Sequence, residues 1–205
     1  MTSIRHNPPV ERRPEDTYLD AARDAILAVG WSRTTLTDIA RRSGVSRMTL
    51  YRRWPDTQTL LADLMTREWG VVVEQAVGAD AAPDLSARTR ISRGIVATVQ
   101  ALRENALLRR IIDVDPEVLL PYLLDRRGRS QEMVAEGLAA LVADGQQDGT
   151  VRAGDPVVLA RSLVLAAHGF TLSAHTMVDR ADARDADVSA LDAELELLVE
   201  RFLRP

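Results

Sequence analysis

The chain has 205 residues, of which 46% are hydrophobic and 27% charged, and its formal net charge at pH 7 is -4. This composition is typical of a soluble globular protein, and the length fits one large domain or two small ones. The chain contains no cysteine and all 26 of its basic residues are arginine, which excludes disulfides, cysteine nucleophiles, phosphate-loop lysines and Schiff-base lysines.

The N-terminal segment MTSIRHNPPVERRP has no apolar stretch of the kind that a signal peptide requires. Its three prolines and three arginines predict a flexible basic arm over residues 1–14. The most apolar run, residues 162–178, is shorter than the roughly 20 residues of a membrane span, so we interpret it as a buried helix. We therefore expect a cytoplasmic protein that does not associate with a membrane.

Apolar residues recur at helical spacing through most of the remaining chain, and no stretch alternates with the period of two that strands show. In the first helix, Leu19, Ala22, Ile26 and Val29 share one face, and Gly30 follows. The fold class is therefore predicted to be all-α. The predicted helices cover residues 15–29, 36–43, 46–53, 56–77, 87–104, 106–113, 116–124, 127–146, 155–178 and 187–204.

The balance of charge changes near residue 70. Residues 1–70 contain 11 arginines and 9 acidic residues, whereas residues 71–205 contain 15 arginines and 21 acidic residues. This change predicts a boundary between two helical domains. The first is expected to have three helices over 15–66, with a connecting helix at about 56–77, and the second is expected over 67–205.

The segment RRSGVSRMTLYRRW, residues 41–54, holds five arginines and no acidic residue. Gly44 can take the positive φ that ends a helix, and Ser46 stands where the cap of the next helix belongs. A short helix, a tight glycine turn and a second short helix are the spacing of a helix-turn-helix motif.

The second of these helices has two chemically different faces. Leu50 and Trp54 lie four residues apart and are expected to pack inward. The outward side carries Arg47, Met48, Thr49, Tyr51, Arg52 and Arg53. Arginine can bond to guanine and small methyl groups can contact thymine, so this face suits a major groove. The alternative is a solvated basic face with no partner, in which Arg41 and Arg42 only complement a helix dipole.

The run YLDAARDAILAVGWSRTTLTDIARRSGVSRMTLYRRWPDTQTLLADLM, residues 18–65, resembles the DNA-binding domain of TetR-type transcriptional repressors. The matching features are the paired alanines of helix one, the paired threonines before helix two, and the DIA, GVS and TLY motifs. An aromatic residue followed by proline before helix four completes the pattern. The resemblance implies an all-α homodimer that binds palindromic operators on double-stranded DNA and is released by a small ligand. It makes residues 15–66 the helix-turn-helix DNA-binding domain and residues 67–205 the helical domain for ligand sensing and dimerisation.

The resemblance also assigns roles by position. Base-facing candidates are Arg47, Met48, Thr49 and Arg52, and phosphate-contacting candidates are Thr35, Thr37, Tyr51 and Arg53. Many members have a lysine near the start of helix four where this chain has Thr57. We therefore expect Arg53 to replace that phosphate contact.

The last predicted helix carries an apolar seam at alternating spacings of three and four. Its members are Val188, Leu191, Leu195, Leu198 and Phe202. Such a seam predicts a dimer interface, and an ordinary core helix is the alternative. The preceding helix is apolar almost all round, which is typical of a helix buried on both sides.

Candidate effector-binding residues are few. Polar and aromatic side chains in apolar surroundings give a predicted ligand pocket lined by Trp69, Tyr122, Met133, His168 and Phe170, although each could equally be plain core. His168 and His175 are seven residues apart on one helix, too far to share an ion, so no metal site is expected. We expect no cofactor and, at most, a small hydrophobic effector.

The sequence has none of the nucleophile-elbow, phosphate-loop, zinc-protease or Rossmann patterns, so no catalytic residue is assigned and an enzyme is not expected. Two regulator hypotheses remain. One is a ligand-responsive repressor. The other is a DNA-binding regulator or activator with no small-molecule effector, because nothing in residues 71–205 identifies one.

Overall fold

The structure is a computed structural model that describes residues 14–79, 85–178 and 185–205. The described residues form ten α-helices and no strand, which confirms the predicted all-α class. Residues 1–13 of the predicted arm lie outside the described residues. The helices are α1 (Pro14–Val29), α2 (Leu36–Ser43), α3 (Arg47–Arg53), α4 (Thr57–Ala79), α5 (Ala87–Glu104), α6 (Ala106–Val114), α7 (Leu120–Leu124), α8 (Arg129–Gln147), α9 (Pro156–Ser173) and α10 (Asp185–Leu203).

Two predicted helices differ in detail from the observed ones. The expected helix at 116–124 begins as a 3-10 turn, Pro116–Leu119, before α7. Pro121 in the first turn of α7 has no N–H to continue the hydrogen-bond ladder, which favours this break. The expected helix at 155–178 ends as α9 at Ser173 and continues as a 3-10 turn, Ala174–Thr176.

The chain divides into two compact units, residues 1–64 and residues 65–205. The first unit contains α1 to α3 and the beginning of α4. Its core consists of fully buried side chains from all four helices, namely Ile26, Ile39, Leu50, Trp54, Leu60, Leu61 and Leu64. A seven-residue helix such as α3 is too short to be stable alone, so burial of its apolar face maintains it.

The second unit has its core between α5, α8, α9 and α10. The buried cluster comprises Ile91, Ile95, Val99, Val142, Val151, Leu159, Leu163, Leu195, Val199 and Leu203. An ion pair between Arg103 of α5 and the buried carboxylate of Asp192 ties α10 to this core, and Gln100 donates to the same carboxylate at 2.9 Å. Breaking one partner of such a pair would leave a buried charge uncompensated.

Helix α9 is not buried on both sides within the chain, contrary to the interpretation from its composition. Leu159, Ala160 and Leu163 pack into the core, whereas Val158 and Leu165 are exposed. The segment Pro156–Thr176 has the length and mean hydropathy, 1.5, of a membrane-crossing helix, with 28% of its apolar window buried. The helix therefore has one face in the core and one largely apolar face that is exposed in the part of the chain that the structure describes.

Candidate nucleic-acid interface

A three-residue turn, residues 44–46, joins α2 to α3. Gly44 has φ of +70°, the left-handed conformation that glycine adopts without steric cost. The N–H of Val45 donates to the carbonyl of Ala40 at 3.1 Å, which closes α2. The Ser46 hydroxyl accepts from the N–H of Thr49 at 3.2 Å and so caps α3, as the sequence predicted. The direction of α3 is thus fixed at its first residue.

The inward face of α3 is anchored at its other end by Trp54. Both Leu50 and Trp54 are buried, and Trp54 is only 1% exposed. The indole Nε1 of Trp54 donates to Oδ2 of Asp63 at 2.7 Å, and the Tyr18 and Trp54 rings pack edge to face with their centroids 6.1 Å apart. A buried indole needs a hydrogen-bond acceptor, and Asp63 supplies it.

The outward face of α3 is exposed as predicted. Met48 is 69% exposed, and Arg52 is exposed without a hydrogen bond or ion pair to any described residue. Arg47 is also exposed, but its Nη2 donates to the hydroxyl of Tyr51 at 2.7 Å, and its guanidinium lies 5.0 Å from the centre of that ring. Arg47 and Tyr51 are therefore joined to each other at the surface, beside Arg52.

The two arginines of α2, in contrast to Arg52, already have an acidic partner within the chain. Asp38, half-buried in the first turn of α2, pairs with Arg41 at 2.5 Å and with Arg42 at 2.9 Å. Hydrogen bonds from Arg42 and then Arg41 lower the pKa of Asp38 below its usual value. The carboxylate is acceptor to both guanidinium groups and offsets part of their charge.

Arg53 also has an acidic partner, which the sequence analysis did not find. Its Nε donates to Oε1 of Glu15 in α1 at 2.6 Å, and this hydrogen bond raises the pKa of Arg53. Its guanidinium lies 5.5 Å from the centre of the Trp54 ring. In the protein without DNA, the Arg53 guanidinium that was expected to contact a phosphate is therefore bound to a carboxylate.

Thr35 and Thr37 lie together at the amino end of α2. The Thr35 hydroxyl caps the helix by accepting from the N–H of Asp38 at 3.2 Å, and both threonines are exposed. Thr49 in α3 is half-buried, with its hydroxyl 2.9 Å from that of Ser46. Thr49 thus contributes to the cap of α3 and lies closer to the core than the other base-facing candidates.

In the second unit, Gln131 brings together two of the predicted ligand-pocket residues. Its Oε1 accepts from the N–H of Gly128 at 2.7 Å, and its Nε2 donates to the carbonyl of Tyr122 at 3.3 Å. The same Nε2 lies 3.3 Å from Nε2 of His168 on α9. Because the Gln131 nitrogen can only donate, the His168 nitrogen must accept, which places the imidazole proton on Nδ1. Burial lowers the pKa of His168, which also favours this neutral form.

The other predicted pocket residues are less closely grouped. Trp69 is half-buried on α4, and the Met133 side chain lies beside its neighbour, Gly70. Phe170 packs against the hydrophobic core cluster. The pocket remains a prediction that is best supported by Tyr122 and His168, with Gln131 added by the structure.

The predicted dimer seam on α10 is divided in the structure. Leu195 is 0% exposed and belongs to the core of its own chain, so its assignment to a subunit interface is wrong. Phe202 packs against the same core, and Val188 and Leu191 are half-buried. Leu198 is exposed and still suits an interface. The spacing of three and four residues also fits packing of α10 on α5, which is the packing observed.

Among the described residues, no group of three or more His, Asp or Glu side chains is arranged to hold a metal ion. The exposed surface of α3 and the amino end of α2 form the chemically distinctive region of the first unit. They present guanidinium, hydroxyl and thioether groups on one short, firmly held helix-turn-helix motif.

Comparison with known proteins agrees with the helix-turn-helix motif described above. A profile of the family described as bacterial regulatory proteins, tetR family, matches residues 19–64. An uncharacterised HTH-type transcriptional regulator from Mycobacterium bovis is 35% identical over 185 residues, which is 90% of this chain and 92% of the relative.

Two solved structures share the fold. The transcriptional repressor QsdR of R. erythropolis, described as a member of the TetR family, has a TM-score of 0.66 at 19% identity, covering 94% of this chain and 96% of QsdR. FadR of Bacillus subtilis, a transcriptional regulator solved in complex with stearoyl-CoA, has a TM-score of 0.65 at 18% identity, covering 92% of this chain and 99% of FadR.

Proposed function

Because the chain belongs to the tetR family of bacterial transcriptional regulators, we propose that it is a homodimeric repressor that a small ligand releases from a palindromic operator. The single observation that supports DNA reading most strongly is the exposed outer face of α3, held at both ends by Ser46 and Trp54. A rigid, exposed recognition helix meets the geometric requirement for insertion into a major groove.

Within that proposal, Arg52 and Arg47 contact base edges. Arg52 has no partner among the described residues and can bond to guanine with little rearrangement of the protein. Arg47 must exchange its bond to the Tyr51 hydroxyl for the base, while Tyr51 and the threonines at the start of α2 contact phosphates. Phosphate contacts set position and base contacts set sequence preference.

A second copy of the chain is the proposed partner for the uncovered face of α9. Val158, Arg161, Leu165, Gly169 and Leu172 follow one another at spacings of three and four along that face. Leu165 is 72% exposed, and Leu197 and Leu198 of the neighbouring α10 are exposed as well. An apolar face that includes such residues is typical of an interface between identical subunits.

The effector proposal rests on the neutral His168. Its Nδ1–H makes no hydrogen bond with any described residue, and Gln131, which links His168 to the backbone carbonyl of Tyr122, is half-buried. A half-buried, uncharged donor suits a carbonyl oxygen better than a carboxylate, because His168 itself has no positive charge to offset the hydration that a carboxylate would lose. FadR of Bacillus subtilis, which shares this fold, was solved in complex with stearoyl-CoA, whose apolar acyl chain is attached through a thioester carbonyl.

The first prediction concerns sequence preference. Arg52→Ala should cost about 1–3 kcal/mol on an operator selected from randomised duplexes and relax the preference at one position in each half-site. Tyr51→Phe should weaken binding to all sequences about equally. Arg127→Ala, which removes an exposed guanidinium from the second unit, is the matched control. A uniform loss for Arg52→Ala across the randomised panel would contradict its role at the bases.

The second prediction concerns assembly. Leu165→Glu should convert the dimer to monomers in light scattering, because it places an unpaired charge in the proposed interface. The helical circular dichroism should remain, since Leu165 lies outside the core. Leu124→Glu changes an equally exposed leucine, 76% exposed, on α7 and should leave the mass unchanged. A dimeric Leu165→Glu would place the interface elsewhere.

The third prediction separates a ligand-responsive repressor from a regulator without an effector. In a thermal-shift screen of apolar compounds, those with one carbonyl oxygen should raise the melting temperature of the wild type, since a ligand stabilises the state that it binds. His168→Phe removes the N–H donor and should reduce the shift, whereas His175→Phe, at an exposed histidine, should not. Shifts that are equal in all three proteins would exclude His168 from the site.

A further inference from the structure

The ion pair between Arg53 and Glu15 lies at the margin of the proposed DNA-binding surface. Arg53 is one helical turn beyond Thr49, so the two side chains share one flank of α3. The Arg53 side chain is 53% exposed and that of Glu15 is 39% exposed. A phosphate that approaches this flank would meet a guanidinium group that already has an anionic partner.

The position of this guanidinium is fixed from two sides. It lies over the ring of Trp54, which is itself immobilised by burial and by the hydrogen bond to Asp63. Glu15 holds the Nε edge through its carboxylate. A carboxylate and a phosphate present similar oxygen acceptors to arginine, so either anion can bind at this position.

We propose that Glu15 is an internal substitute for a DNA phosphate: it holds Arg53 in the free protein and is displaced by a backbone phosphate when α3 enters the groove. This inference rests on the proposed DNA-binding function. An exposed ion pair contributes little stability, so its exchange is energetically accessible. After the exchange, the Glu15 carboxylate is left beside the DNA backbone, where its charge opposes binding.

Two consequences follow for the wild-type protein. Glu15 lowers affinity for DNA in general, because phosphate contacts do not depend on sequence. It also keeps Arg53 ordered for the exchange, so Glu15 is a positioning residue that acts through Arg53. If the pair had only a structural role, the loss of Glu15 would loosen α3 and would lower the affinity for DNA instead of raising it.

The test is Glu15→Gln, with the affinity of the full-length protein measured on the selected operator and on a random duplex of equal length. We expect about a fivefold gain on both duplexes, in the range that the loss of an exposed ion pair in each of two subunits allows. Asp20→Asn makes the same change of charge five residues farther along α1 and should gain less than about twofold. Weaker binding by Glu15→Gln, or a gain on the operator alone, would overturn the proposal.

A double-mutant cycle assigns the gain to Arg53. In an Arg53→Gln background, Glu15→Gln should change affinity no more than Asp20→Asn does, because there is no guanidinium left to release. An undiminished fivefold gain in that background would show simple charge repulsion and would also overturn the proposal. If the wild type selected no preferred duplex at all, the proposed function itself would fail, which is distinct from either outcome for Glu15.

Discussion

The placement of Trp54 is the constraint on which the proposed DNA-binding surface depends. Helix α3 has seven residues and cannot persist without tertiary contacts. Its start is defined by the Gly44 turn and the Ser46 cap, and its end by an indole that is buried and hydrogen-bonded to Asp63. With both ends fixed, Arg47, Met48 and Arg52 can extend outward without loss of the helix. The same ring also supports the guanidinium of Arg53, so the core residue and the surface charge are parts of one arrangement.

The fold and the first unit could be predicted well because the relevant signals are local. Helical periodicity, Gly44 and Ser46 are each visible within a few residues of sequence, and Asp38 precedes Arg41 and Arg42 at spacings that allow helical ion pairs. The pair between Arg53 and Glu15 spans 38 residues and depends on how α1 packs beside α3, so no spacing rule could reveal it. Local patterns define helices, whereas partners of exposed charges follow from tertiary packing.

In the second unit, the apolar pattern of α10 predicted a packed helix but not its partner. A seam with spacings of three and four requires that α10 pack against another helix, but it does not specify whether that helix belongs to the same chain. Here Leu195, Val199 and Leu203 face α5 and its neighbours, and the buried Asp192 pairs with Arg103 on the same side. The uncovered apolar face lies largely on α9, whose uniform composition concealed which side it buries. Likewise, the contacts of Gln131, and with them the proton position on His168, required the structure.

In the proposed dimer, two α3 helices act as a rigid pair on one operator. Successive major grooves on one face of DNA are about 34–36 Å apart, and a dimer gains affinity only when its two recognition helices match that spacing. The most direct test is the affinity of the wild-type protein for its selected operator after insertion of five base pairs between the half-sites, half a helical turn. We predict that the affinity falls by about a hundredfold or more, toward that of an isolated half-site. Undiminished binding to the spaced operator would contradict the account.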